Sequence, residues 1–229
     1  MTLLHPTGDD ALDSLIGIEP SEPPQKKLVP ILDRWELSHE EFTTIVDANP
    51  SLRGVTLGYI AESKFHEMFL NHPSVTEARK DNDHDRKRKG DRRFKYKGRE
   101  FIVEVKSLQT ALVKRDDPER LTGKSQVDAS DCREVTFADN STLKTTCLLR
   151  GEFDILAVNC YAFNGKWEFA FAKNSDLPKN TFRKYTPAQQ ERLLPTLIPV
   201  TWPPEAPFYA DPFVLMDSMV EEADTESAT

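Results

Sequence analysis

The spacing of hydrophobic positions along this chain changes several times, and each change predicts an element. From Arg53 to Leu70, apolar residues Leu57, Ile60, Ala61, Phe65, Met68 and Phe69 recur at three- and four-residue spacing, the pattern of a long amphipathic helix. Upstream, Ser38-His39-Glu40-Glu41 is a helix start with acids in its first turn, and Asn49-Pro50 ends that helix. Ser74 to Arg79 reads as a short first strand. The period then falls to two: Phe94 and Tyr96 alternate with charged residues, Lys97-Gly98-Arg99 supplies a turn, and Phe101 to Val105 is β-rich. Together they predict a hairpin. Arg133 to Leu149 reads as a second hairpin, turned by Asp139-Asn140-Ser141. Phe153 to Tyr161 is nearly continuous apolar sequence, which suits a strand buried on both faces, and Trp167 to Ala172 returns antiparallel after Asn164-Gly165. Short helices are expected from Asp116-Asp117-Pro118-Glu119 and from Thr186-Pro187. The sum is an α/β domain built on a mixed central sheet with flanking helices.

Both ends depart from these patterns. Residues 1–27 lack periodicity and read as an unstructured leader; prolines 195, 199, 203, 204, 207 and 212 argue against a long helix, and residues 205–229 read as a disordered acidic tail. That leaves 28–204 as the expected domain. No apolar run approaches the roughly 20 residues of a membrane span, and Met-Thr-Leu-Leu-His-Pro lacks the basic and apolar regions of a signal peptide, so a cytoplasmic location is expected. Cys132, Cys147 and Cys160 are odd in number and widely spaced, which suggests neither a disulfide framework nor a zinc site.

Charge changes the picture. The net charge of −8 argues against a nucleic-acid partner until its distribution is followed. Residues 1–27 hold five acids against two lysines, and 205–229 hold seven acids and no base, which leaves 28 basic against 26 acidic residues between them. Residues 79–99 alone carry eleven Lys or Arg against four Asp. Such a segment, with Arg86, Lys87, Arg88, Lys89 and Arg92 at its centre, is either an electrostatic footprint for phosphates or a solvated basic loop. Further on, Lys124, Gln126, Asp128 and Ser130 form a polar cluster suited to phosphates or base edges, or else a solvated turn. Gly123-Lys124-Ser125 is not a nucleotide loop, because the upstream glycine of that motif would fall on Pro118.

The chemistry centres on the first hairpin. Alternation puts Ile102, Glu104 and Lys106 on one face and Phe101, Val103 and Val105 on the other, so Glu104 and Lys106 are neighbours. Asp91 stands at the mouth of the first strand, where pairing brings it near residues 104–106. A hard cation such as Mg²⁺, or Mn²⁺ in its place, keeps several waters and needs few protein oxygens; Asp91, Glu104 and the Val105 carbonyl suffice. Lys106 would then hold an attacking water or offset charge on a phosphoryl oxygen.

Gly90-Asp91 followed, after a gap of twelve residues, by Glu104-Val105-Lys106 resembles the PD-(D/E)XK nuclease superfamily, without that motif's proline. The resemblance runs from about Leu57 to Tyr161 and implies a restriction-endonuclease-like core, a further acid on the preceding helix, and Mg²⁺-dependent cleavage of DNA, as in restriction or defence enzymes. Glu62 stands where that helix acid is expected, and it either joins the metal site or is an ordinary boundary acid. Double-stranded DNA is the favoured substrate, and cutting both strands calls for two active sites, which a homodimer would supply. The competing expectation is a binding or assembly subunit that keeps the fold and cuts nothing.

Overall fold

The computed structural model describes residues 29–80 and 90–227. By backbone contacts the chain divides into two compact units, 1–48 and 49–229. The described part of the first holds helices α1 (Ile31–Arg34) and α2 (His39–Ala48). Ser38 caps α2 reciprocally: its Oγ accepts the Glu41 N–H at 3.1 Å while Glu41 Oε2 accepts the Ser38 N–H at 2.9 Å. The expected leader, residues 1–27, lies outside the described residues.

In the second unit Pro50 opens α3 (Pro50–Phe65), which widens into a π-turn at His66–Leu70. Its buried stripe is Ala61 and Phe65, with Ile60 and Met68 exposed, narrower than the periodicity suggests. There follow β1 (Val75–Arg79), β2 (Arg92–Tyr96), β3 (Arg99–Ser107), β4 (Lys114–Arg115), β5 (Leu121–Gln126), β6 (Asp128–Thr136), β7 (Thr142–Cys147) and β8 (Ile155–Asn159). Then come α4 (Tyr161–Asn164), β9 (Phe169–Lys173), α5 (Pro187–Arg192), β10 (Leu197–Trp202) and α6 (Pro212–Ser227). No helix among the described residues is long and apolar enough to cross a membrane.

The central sheet has the order β1-β2-β3-β8-β9 and is mixed: β3 and β8 run parallel and the other pairs antiparallel. All five residues of β8 are buried, because helices cover one face of the sheet and a second β-layer the other. On the helix side, Phe101, Val103 and Val105 pack with Ala61 and Phe65 of α3 and with Leu215 and Met216 of α6. On the opposite side, Leu156 and Val158 pack with Ile198 and Val200 of a three-stranded sheet ordered β10-β5-β4. β6 and β7 form a separate antiparallel pair.

Two expectations fail. Residues 116–119 do not open a helix; they turn the chain from β4 into β5, with Arg120 N–H donating to the Asp117 carbonyl. The described part of 205–229 is not a disordered tail: α6 buries Leu215, Met216 and Met219, and Tyr96 Oη donates to Asp217 at 2.8 Å. Pro212 begins this helix instead of breaking it, since a first-turn residue needs no N–H partner.

Candidate active site

The site is made by a strand that ends early. Lys97 and Gly98 both have positive φ (49° and 82°), the two-residue turn whose twist matches flanking antiparallel strands. The turn sets the register Phe94 opposite Phe101 and Arg92 opposite Val103. One residue before β2, the Asp91 N–H donates to the Val103 carbonyl at 2.8 Å, and strand pairing stops there. β3 continues to Ser107, paired with β8 on its other side. Odd residues of β3 direct their N–H and C=O toward β2, so Val105 is the first whose backbone groups extend past the last rung. The Asp91 carboxylate fills that position: Oδ2 accepts the Val105 N–H at 2.7 Å. Gly90 makes the bend possible. Its φ is +84°, and a Cβ there would lie 2.3 Å from Ile102 Cγ2 and 3.3 Å from the Val103 oxygen.

Glu104 and Lys106 share the face opposite the helices, as alternation predicts, and Lys106 Nζ lies 2.7 Å from Glu104 Oε1. Their side chains are only 9% and 22% exposed. Burial, reinforced by the Glu104 charge, pushes the Asp91 carboxyl up to about 8; Lys106 and the Val105 N–H pull the other way without prevailing. Burial disfavours the Lys106 ammonium, but the Glu104 and Asp91 carboxylates outweigh it and hold its pKa above the ordinary lysine value. Asp128, at the start of β6, adds to that effect.

Glu62, expected either at the metal site or as a boundary acid, is paired with cations. Its Oε2 lies 2.8 Å from Lys80 Nζ and 3.9 Å from Arg92 Nη2, so two cations flank it on the helix side. The oxygen is buried and accepts no hydrogen bond, which makes its contact with Lys80 one of charge. Its charge still reaches Asp91 and helps raise that pKa. His66 Nδ1, one turn further along, is also buried without a hydrogen-bond partner.

Among the described residues no three His, Cys, Asp or Glu side chains converge as a ready cage. Mg²⁺ does not require one, since it retains waters and takes one or two carboxylates. The residues present suit such an ion: a carboxyl raised by burial against a second carboxylate, fixed on the Val105 N–H, with the Glu62 charge close enough to act on it. Proton and cation compete for the same crowded negative charge.

Of the nucleic-acid candidates, Arg86, Lys87, Arg88 and Lys89 lie outside the described residues. Arg92 turns inward to Glu62 and is 14% exposed, so it is not on an open surface. Lys124 and Gln126 are exposed on β5, between buried Gly123 and Ser125. Gln126 is joined to Gln109 by a side-chain hydrogen bond of 2.7 Å, a contact invisible to local pattern because it depends on where β3 meets β5. A cleft of about 520 Å³ at the start of β3 holds further cations, but they serve structure. Arg99 donates to the Met219 carbonyl, Arg150 to those of Ser175 and Leu177, and Lys173 pairs with Glu222, so the cleft is the seam that docks α6.

No family model and no curated protein matches the chain. Among solved structures, it is similar to a bacterial homing endonuclease, at 18% identity and a TM-score of 0.33, over 59% of this chain and 85% of that one. At that level the likeness carries no functional argument.

Proposed function

We propose that the protein is a Mg²⁺-dependent endonuclease that hydrolyses phosphodiester bonds in double-stranded DNA, with Mn²⁺ able to replace Mg²⁺. The observation that carries this reading is the buried group at the early end of β2: Asp91 on the Val105 N–H, with Glu104 and Lys106 paired beside it. A purely structural ion pair would need one acid and one base. Here a second carboxyl is packed against the first at the cost of a strongly raised pKa, an arrangement more common at reactive sites than in ordinary cores.

Asp91, Glu104 and the Val105 carbonyl would hold the metal, with Glu62 as an outer contributor. Bound there, Mg²⁺ would supply Lewis acidity toward the phosphate and an acidified water as nucleophile. The chain's own residues have distinct tasks. Asp91 is fixed by the Val105 N–H, so its second oxygen is oriented before substrate arrives. Lys106, held protonated by Glu104 and Asp91, can donate to a phosphoryl oxygen as its charge grows, and cannot serve as a base near neutral pH. No nucleophilic serine or cysteine is needed. Lys124 and the basic residues 86–89 would meet phosphates outside the cutting point.

Incubation of a supercoiled plasmid with Mg²⁺, Mn²⁺ or EDTA tests the proposal. Nicking or linearisation in either metal and none in EDTA supports it. Retention of DNA without cutting in any metal would favour a binding subunit instead.

A further inference from the structure

Alternation along β2 divides its cations between two faces. Phe94 and Tyr96 are buried on the helix side, and Arg92 shares that side, where it meets Glu62. Arg93 and Lys95 therefore face the other way, toward the side of the sheet that carries Glu104 and Lys106. The register puts Arg93 directly opposite Ile102 of β3, the residue before Glu104 on that face. On its other flank Arg93 stands directly opposite Arg79, the last residue of β1. One rung across three strands thus reads Arg79, Arg93, Ile102. Two residues from that rung, about 7 Å along the strands, stand Asp91 before β2 and Glu104 on β3.

Two guanidiniums opposed on neighbouring strands repel, and like charges in that position destabilise a sheet. Further toward the turn the signs alternate: Lys95 is opposite Glu100, and its Nζ lies 2.7 Å from Glu77 Oε1. Glu100 also pairs with Arg79 at 2.7 Å, and that bond, with the Arg93 and Lys95 charges, holds its carboxyl below the usual range. Three cations thus share two carboxylates, and the like-charged rung is the one nearest Asp91 and Glu104. The acids do not lock this face. The side chains of both ion pairs are 40–55% exposed, and such pairs are worth about 0–1 kcal/mol, so a phosphate can take a carboxylate's place at little cost. A guanidinium suits that exchange, since its planar fork matches two phosphate oxygens. On the far side of β3, Leu156 and Val158 of β8 are covered by β10. Among the described residues, the open way from the Glu104–Lys106 pair therefore runs over β2 and β1.

We infer that Arg93, with Arg79 beside it, holds the backbone phosphate next to the one cut, and so sets the course of the DNA strand over β2 and β1. The inference rests on the proposed DNA substrate. It is tested by comparing the full chain with Arg93→Gln on a short duplex whose cut phosphate is mapped in Mg²⁺, single phosphates being replaced in turn by neutral methylphosphonates. Binding is read in EDTA. Wild-type affinity should fall roughly ten- to a hundredfold, the range for a charge-assisted hydrogen bond, when the neutral group adjoins the cut phosphate on one side. Arg93→Gln should bind the unmodified duplex more weakly by a similar factor, with a log–log salt slope smaller by about 0.9, and should lose nothing further at that position. Without DNA the variant should melt no lower than the wild type, because removing one of two opposed charges relieves the sheet. Wild-type affinity in Arg93→Gln, continued sensitivity at the adjoining phosphate, or a lower melting temperature would overturn the inference. Cleavage separates the two claims. Duplex retained but not cut, with one phosphate position sensed by the wild type and not by Arg93→Gln, sinks the nuclease and leaves the Arg93 contact standing. Cutting with every position equally costly to both proteins does the reverse, and no retained duplex ends both.

Discussion

Asp91 Oδ2 accepts the Val105 backbone N–H at 2.7 Å, so the carboxylate occupies the place that the next residue of β2 would take in the sheet. Position and pKa follow from the same fact. A side chain that completes a ladder is buried beside β3, within reach of the Glu104 charge on that strand.

Stability should therefore fall with rising pH over an unusual window. An unfolded aspartate titrates near 3.8 and the folded one near 8, so between these values the folded state binds the extra proton. Stability gained from protonation is present below about 4 and is lost as pH rises through 8. Thermal melts from pH 5 to 9 should show this decline in the wild type, a flatter profile in Asp91→Asn, and partial recovery with Mg²⁺ at the alkaline end. Identical slopes in wild type and variant would rule out Asp91 as the titrating group.

Gly90 and Gly98 make a matched pair of tests. Both have positive φ, but a Cβ at Gly98 meets nothing within 4 Å while one at Gly90 meets Ile102 at 2.3 Å. Gly98→Ala should cost about 1–2 kcal/mol, the left-handed penalty alone. Gly90→Ala should cost more and should also lower cleavage by displacing Asp91. Equal costs in denaturant melts, with unchanged cleavage, would contradict the packing described around Asp91.

Much of this site was legible in the sequence, and for a physical reason. Period-two alternation assigns faces, so Glu104 and Lys106 fell together and Phe101, Val103 and Val105 fell to the core without any tertiary knowledge. The turn at Lys97-Gly98 fixed the register and so the nearness of Asp91. What could not be read depends on contacts between distant segments. Glu62 faces Lys80 and Arg92 because of how α3 lies on the sheet, and β10 pairs with β5 across more than seventy residues. α6 was hidden by its prolines: the run from Pro195 to Pro212 suggests loop throughout, yet its last member is a helix start.

That helix supplies the next test. Leu215 is fully buried in the cluster that backs β3, so Leu215→Ala should destabilise the protein by about 2–5 kcal/mol. Truncation after Asp211 should be worse still, exposing the aromatic core around Phe65 and Phe171. Urea melts that leave the truncated chain as stable as the full one would show α6 to be an ornament.

Lys124 is expected to contact phosphate and nothing else. Lys124→Ala should weaken duplex binding across all sequences and reduce the log–log salt slope by about 0.9, the value for one phosphate contact. A changed sequence preference with the slope intact would assign it a different role.

The central claim is that Asp91, Glu104 and Lys106 form a cutting centre, and the most direct measurement is cleavage and binding of one duplex by wild type, Glu104→Gln and Lys106→Ala under single-turnover conditions in Mg²⁺. Both variants should bind the duplex with nearly wild-type affinity and cut it at least about a hundredfold more slowly, the scale of losing one preorganised electrostatic contact in the transition state. Wild-type cleavage rates in both variants would place the active site elsewhere and contradict the account.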